Sequence, residues 1–395
     1  MTAAKKIIAV ITLCLVAVSA LGQSVSRSTF QALQDVQTMM EEERYEEALT
    51  ELEALSEKTA EIPYDFALTN QYLAHVSVIL DNPARAQSAL QAALANEGLP
   101  PEVRQNMNLF YGTVLLSNEE YELALEALEE WYALAELPLS SQIFSLAYAN
   151  YQNGNLPRAE ELVDQAIGVS DAPMVSWYQL LYRVLFDQKK YARAEVVLKI
   201  LIDREPTNVA HWRTLASHYL QLEDSSDGLA TMMIAHINEM VESETDFRQI
   251  VSLWGYIDAP EKGARLLSDF IDDGRIEPDP ETLKQLGNLW LMARERDNAI
   301  DVLTEAAKVA PDGRTYELLG GIHFDNEDWD LAYAAYQDAI REGDLDEPLR
   351  VSLLAGICAY RADRFDDARQ ALEAAAESDD EELREQAEQF LREIR

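Results

Sequence analysis

Between residues 280 and 344 the apolar positions recur in one spaced pattern, twice. Counted from Pro280, they fall on Leu283, Leu286, Gly287 and Trp290, then on Ala299, Leu303, Ala306 and Pro311; counted from Gly313, the same positions hold Tyr316, Leu319, Gly320 and His323, then Ala332, Tyr336 and Ala339. Intervals of three and four put Leu283, Leu286 and Trp290 on one face of a helix, because a helix turns once in about 3.6 residues. A polar stretch follows, and then a second set with helical spacing. The pattern therefore predicts a helix, a turn and a second helix. Small residues at the eighth and twentieth positions, Gly287 with Ala299 and Gly320 with Ala332, predict a close approach of the two helices. One such pair leaves an apolar face uncovered, so the unit makes sense only as one of several in a stack.

The same grid extends over most of the chain. Repeat starts fall near residues 29, 67, 105, 140, 175, 209, 245, 280, 313 and 349. Tyr178, Leu181, Tyr191, Ala194, Leu198 and Pro206 mark one copy, and Trp212, Leu215, Ala216, Tyr219, Gly228 and Ala235 the next. The two longest intervals, both 38 residues, predict extra loop residues around Glu61–Asp65 and Gly98–Glu102. The copy starting near 245 is the least regular: its first helix should end before Asp258, and its second should run from Pro260 to about Asp272. Asn82-Pro83 and Asp279-Pro280 each place a capping residue before a proline at the first helical position. Ser117–Glu120 and Ser378–Glu381 read as capping boxes. Asn153-Gly154 should end one helix, with Asn155 capping the next. Residues 380–395, with Leu383, Ala387, Phe390, Leu391 and Ile394, read as a final amphipathic helix covering the last repeat.

This spacing resembles the tetratricopeptide repeat (TPR), a helix–turn–helix unit of about 34 residues. The resemblance covers residues from about 29 to 382. It implies an all-α solenoid, a right-handed superhelix of about ten repeats with a C-terminal capping helix. It also implies a concave groove lined by first helices, in which TPR proteins generally hold peptide ligands. Carried onto this chain, the groove would present Phe144, Tyr148, Tyr151 and Gln152, then Gln179, Arg183 and Phe186, then Arg213, Ser217 and Gln221. Aromatics would supply contact area and amides could pair with a peptide backbone. Lys284 and Asn288 match the opening of the motif by which co-chaperone TPRs clamp a C-terminal carboxylate. The match then fails, since Gly321 stands where the next asparagine should be. A basic run, Arg183, Lys189, Lys190, Arg193, Lys199 and Arg204, either docks an acidic partner or pairs with the chain's own carboxylates; common surface pairing favours the second.

Charge narrows the partners. The 395 residues carry 71 acidic and 32 basic side chains, a formal net charge of −39. Phosphate backbones and anionic lipid surfaces would repel such a chain, so no nucleic acid and no direct membrane binding after leader removal are expected. Hydrophobic residues make up 48%, enough for a continuous core. Lys5 and Lys6 precede the apolar run Ile7–Val18 and a small-residue stretch, which reads as a secretory signal peptide over 1–22. The solenoid would then occupy 23–395, and Cys358 would be the one remaining cysteine, expected to be a small buried hydrophobe.

The sequence contains no HExxH, GxSxG, CxxC, Walker or GxGxxG motif. His211 and His218, seven residues apart, read as a groove-edge residue and a packed one rather than metal ligands. The segment Asp325–Asp330 is acidic but lacks the glycine and distal glutamate of a calcium loop. No catalysis, cofactor or metal is expected. A leader followed by an acidic chain built wholly of TPRs resembles the periplasmic TPR proteins encoded beside TonB–ExbB–ExbD energy-transduction systems. That resemblance implies a non-catalytic periplasmic scaffold, an accessory of TonB-dependent outer-membrane transport, which binds a protein or extended peptide segment of an envelope complex such as a TonB, ExbB or ExbD component. The alternative is a scaffold in envelope assembly: outer-membrane protein insertion, cell-wall synthesis or secretion.

Overall fold

A computed structural model describes residues 25–394; the leader expected over residues 1–22 lies outside them. The described residues form 21 helices and no strand. They part into two compact units after Arg204. The first unit pairs α1 (Arg27–Glu41) with α2 (Tyr45–Thr59), α3 (Pro63–Ile79) with α4 (Pro83–Leu94), α5 (Pro101–Ser117) with α6 (Tyr121–Tyr132), α7 (Ser140–Gln152) with α8 (Leu156–Gly168), and α9 (Val175–Asp187) with α10 (Tyr191–Arg204). The second unit pairs α11 (Val209–Gln221) with α12 (Ser225–Ile237), α13 (Glu244–Tyr256) with α14 (Pro260–Asp272), α15 (Pro280–Met292) with α16 (Arg296–Val309), α17 (Gly313–Asp325) with α18 (Trp329–Glu342), and α19 (Pro348–Arg361) with α20 (Phe365–Ala375). A last helix, α21 (Glu381–Glu393), closes it. Within each unit the second helix of one hairpin packs on the first helix of the next. Each unit is thus an all-α stack of five hairpins of the expected TPR type.

Two columns of side chains make the hairpins alike. The fourth residue of the second helix is Ala48, Ala86, Ala124, Ala159, Ala194, Gly228, Gly263, Ala299, Ala332 or Ala368, and all ten are buried. Four residues later stands a larger apolar residue, from Leu52 and Leu90 through to Tyr336 and Leu372, again buried throughout. In the regular hairpins the small eighth position of the first helix receives this larger side chain. A Cβ on Gly287 would lie 2.6 Å from Leu303 Cγ, and one on Gly320 would lie 2.6 Å from Tyr336 Cδ1. Glycine here therefore admits a side chain from the second helix, rather than a bare backbone-to-backbone approach.

The hairpin turns are more uniform than the sequence suggested. Two residues past the end of each first helix stands a residue in the left-handed region: Glu43, Asp81, Glu119, Lys189, Glu223, Asp258, Arg294, Glu327 and Asp363 at φ between 56° and 63°, and Gly154 at 75°. The next amide bonds back five residues, as Arg44 N does to Met39 O (2.8 Å) and Glu120 N to Leu115 O (2.9 Å). That is the Schellman closure of a helix, made here nine times out of ten without glycine.

Several local expectations need revision. Asn82 and Asp279 do cap their helices, accepting from Arg85 N at 3.1 Å and Thr282 N at 2.7 Å. The two capping boxes do not form. Ser117 is the last residue of α5, because the left-handed turn at Glu119 delays α6 to Tyr121. At the other site Asp380, not Ser378, caps α21. Asn155 makes no side-chain cap, and it is Asn153 that reaches out, to Tyr121 O at 2.8 Å. The extra residues of the second and third hairpins do not all enlarge loops. α3 and α5 start at Pro63 and Pro101, four residues before the sequence grid, and each is 17 residues long against 13 for α7. Proline at the first helical position lets the helix take them up as one more turn.

Both chain-end helices are one-sided. α1 buries only Thr29, Leu33 and Val36, and α21 only Ala387, with Leu383, Phe390, Leu391 and Ile394 packed on the last core cluster. No helix among the described residues is long and apolar enough to cross a membrane.

Candidate binding groove

The first-helix positions proposed for a groove separate into two groups, one in each unit. In the first unit, α7 and α9 bring several of them together. Phe144 stacks on the buried Trp177 ring (centroids 5.4 Å apart, planes at 20°). Tyr148 meets Tyr121 edge-on at 6.4 Å, and its hydroxyl accepts from Gln152 Nε2 at 2.6 Å. Asp187 on α9 lies near the Tyr151 hydroxyl; burial first, then that charge, push the Tyr151 pKa up. Phe186 sits between Tyr182 (5.8 Å) and Tyr191 (5.5 Å). Phe144, Tyr148, Tyr151, Gln152 and Phe186 are half-buried, whereas Gln179 and Arg183 are exposed. Among the described residues Arg183 has no carboxylate within ion-pair distance. This face thus offers anchored aromatic rings, an amide and an open guanidinium, the mixture that suits an extended polypeptide.

In the second unit the cations have other work. Arg213 on α11 forks onto Asp246 of α13 with bonds of 2.7 and 2.8 Å. Asp246 is only 1% exposed and also accepts from Ser243 Oγ at 2.6 Å. Burial alone would raise the Asp246 carboxyl, but the Arg213 and Ser243 hydrogen bonds outweigh it and leave the pKa below the usual carboxylate range. Lys284 is likewise shared between Glu281 and Asp312, each at 3.1 Å. Ser217, Gln221 and Asn288 are exposed. Arg213 and Lys284 thus tie each first helix to the start of the next one, a role that local spacing did not reveal.

Half of the basic run, Lys190, Arg193 and Lys199, pairs with the chain's own carboxylates. Lys190 and Arg193 both meet Glu160 at 2.5 Å, Arg193 also meets Asp164 at 2.6 Å, and Lys199 meets Glu195 at 2.7 Å. Arg204 lies over the Tyr178 ring, 4.5 Å from its centroid.

The histidines and the cysteine are packed. His211 and His218 are both buried, so neither is a groove-edge residue; His211 Nε2 is 2.9 Å from Glu205 Oε2. Cys358 is fully buried, and its thiol pKa is pushed up to about 12 by burial. Among the described residues no group of three or more His, Cys, Asp or Glu is placed to bind a metal ion. A cavity of about 430 Å³ that the sequence did not signal opens in the second unit, lined by His236, Glu239, Val241, Glu242, Phe247, Gly274 and Arg275. His236 is wedged edge-on against Phe270 (5.2 Å) and Phe247 (6.0 Å), and burial, then Arg275, lower its pKa.

The tetratricopeptide repeat family matches residues 80–138, 285–347 and 319–382. No curated protein matches the chain. Among solved structures it is similar to MamA from Desulfovibrio magneticus RS-1 (18% identity, 47% of this chain and 99% of that one, TM-score 0.39). It is also similar to YrrB, described as a TPR protein with an unusual peptide-binding site (14% identity, 46% and 90%, TM-score 0.38). A third is PilF of Pseudomonas aeruginosa (19% identity, 53% and 90%, TM-score 0.38).

Proposed function

We propose that this protein, whose hairpins are tetratricopeptide repeats, is a periplasmic docking scaffold and an accessory of TonB-dependent outer-membrane transport. An extended segment of an envelope protein lies along α7 and α9 of the first unit. The observation that carries this reading is the aromatic face itself: Tyr148, Tyr151 and Phe186 are anchored by neighbours before any partner arrives, which lowers the entropy cost of binding. The leader pattern at residues 5–22 supports export. The net charge of −39 supports a basic partner, and TonB-type linkers are proline-rich and often basic. Aromatic grooves suit proline-rich segments, because these are already extended.

The test is fluorescence anisotropy with a labelled proline- and lysine-rich TonB-type linker peptide. It should bind, weaken as salt rises, and weaken about tenfold or more when Tyr151 and Phe186 are both replaced by alanine. Absence of binding at low salt to this peptide, and to purified ExbB and ExbD segments, removes the TonB reading.

A further inference from the structure

The geometry points to a second docking surface: the exposed side of α6 together with the loops that follow α6 and α8, shaped for a basic amphipathic segment of a partner protein. Three leucines stand exposed in the loop after α6, Leu134 at 60%, Leu137 at 92% and Leu139 at 64%. Val169 and Met174 stand exposed in the loop after α8, at 59% and 46%. The Tyr132 hydroxyl donates to Gln165 Oε1 at 3.0 Å, and Arg158 lies over the Tyr132 ring at 5.6 Å. The Gln165 bond ties the end of α6 to the last turn of α8, so the two apolar loops leave from adjacent points. Apolar residues this exposed, on successive loops, are what an interaction edge shows and a solvated loop does not.

Charge decides the occupant. From residue 105 to residue 157 the chain has seven glutamates and no lysine, arginine or histidine. Helical spacing sets Leu123, Glu126 and Glu130 in one exposed row on α6, leading to Leu134. Glu122 and Glu136 are exposed beside that row. A second copy of the chain would bring the same uncompensated carboxylates against these, and an anionic membrane would be repelled. A segment with leucine-like residues on one side and lysine or arginine on the other satisfies both the leucines and the glutamates. Two cations border the patch: Arg158, paired with Glu161 at 2.8 Å, and Arg204 at the far end, bonded to Pro173 O and the Tyr178 hydroxyl. The basic side of the partner therefore lies toward α6.

The test uses the full chain and two synthetic peptides of equal charge, an amphipathic lysine–leucine helix and a lysine–glycine control, followed by anisotropy at physiological salt. The lysine–leucine peptide should bind. Replacing Leu134, Leu137 and Leu139 together with serine should weaken it about tenfold or more. Tyr256→Ser, an exposed residue of the second unit, should leave binding unchanged. Should the triple variant misfold, Leu137→Ser alone should still weaken binding about threefold or more. Equal binding of the two peptides, or an equal effect of Tyr256→Ser, overturns the proposal by showing generic attraction to an acidic protein. Unchanged binding by the leucine variants overturns it directly. Concentration-dependent dimerisation, or binding to neutral phosphatidylcholine vesicles, that the leucine variants abolish assigns the edge to another occupant and also overturns it.

Discussion

Arg213 and Asp246 join consecutive first helices of the second unit through a two-bonded fork, Nε to Oδ1 at 2.7 Å and Nη2 to Oδ2 at 2.8 Å. The same link recurs at each step. Arg248 Nη2 reaches Thr282 Oγ1 at 2.8 Å, Lys284 Nζ reaches Asp312 at 3.1 Å, and Arg314 Nη2 reaches Asp346 at 3.0 Å. A basic residue in the first two turns of one first helix thus engages a polar residue at the entry to the next. Apolar stacking fixes that hairpins pack; the polar ladder adds direction, because a hairpin rotated or slid would leave Asp246 buried and unpaired.

Removing the cation should therefore cost more than an ordinary surface substitution. Arg213→Ala leaves the Asp246 carboxylate buried without its partner, which should destabilise the second unit by roughly 2 kcal/mol; the value sits below that of a fully buried pair because Arg213 is 44% exposed. Adding Asp246→Asn should recover part of the loss. Urea denaturation of the single and double variants measures both.

The same pair sets an acid dependence. The folded pKa of Asp246 is lowered, so its stabilising contribution is complete above the unfolded value of about 4 and is lost as pH falls through the folded value below that. The gap in unfolding free energy between the wild type and Asp246→Asn should be constant from neutral pH down to about 5, then shrink under stronger acid. A gap that widens on acidification contradicts the assignment.

Two adjacent glycines on α17 should respond in opposite senses. Gly320 faces Tyr336 with no room for a methyl group, so Gly320→Ala should cost about 1–3 kcal/mol through overpacking. The nearest atom to a Cβ on Gly321 would be the Tyr336 hydroxyl, at 3.9 Å. Gly321→Ala should therefore be neutral or stabilising by up to about 1 kcal/mol, the helix-propensity gain. Thermal unfolding of the two variants separates them.

The turns offer a second such contrast. Glu119 holds a left-handed backbone at φ 62°, and Gly154 holds the equivalent place at 75°. Glu119→Gly should stabilise by up to about 1 kcal/mol, since relief of the left-handed cost exceeds glycine's extra unfolded-state entropy. Gly154→Ala should destabilise by about 1 kcal/mol. Equal and negligible effects would show that the turns tolerate any residue.

The hairpins were legible because their determinants are local. Alanine or glycine at the fourth place of the second helix, with a large apolar residue four places on, is visible as a column in the sequence. The first helix of the irregular hairpin ends at Tyr256, before Asp258, and its second runs from Pro260 to Asp272, matching the sequence reading. What stayed hidden depends on neighbours that are distant in sequence. The partner of Arg213 is set by how one hairpin rotates on the next, which periodicity does not encode. Ser117 looked like a cap because the left-handed turn that displaces the second helix is made by Glu119, a residue with no turn signature. The exposure of Leu137 was equally unreadable, since a leucine beside a proline gives no sign of whether a loop folds inward.

Amide hydrogen exchange with and without the proline- and lysine-rich segment tests the central claim most directly. Protection should appear in α7 and α9, over residues 144–152 and 179–187, and should vanish when Tyr151 and Phe186 are replaced by alanine. Binding accompanied by protection elsewhere, with these two helices unchanged, would contradict the assignment of this face as the docking site.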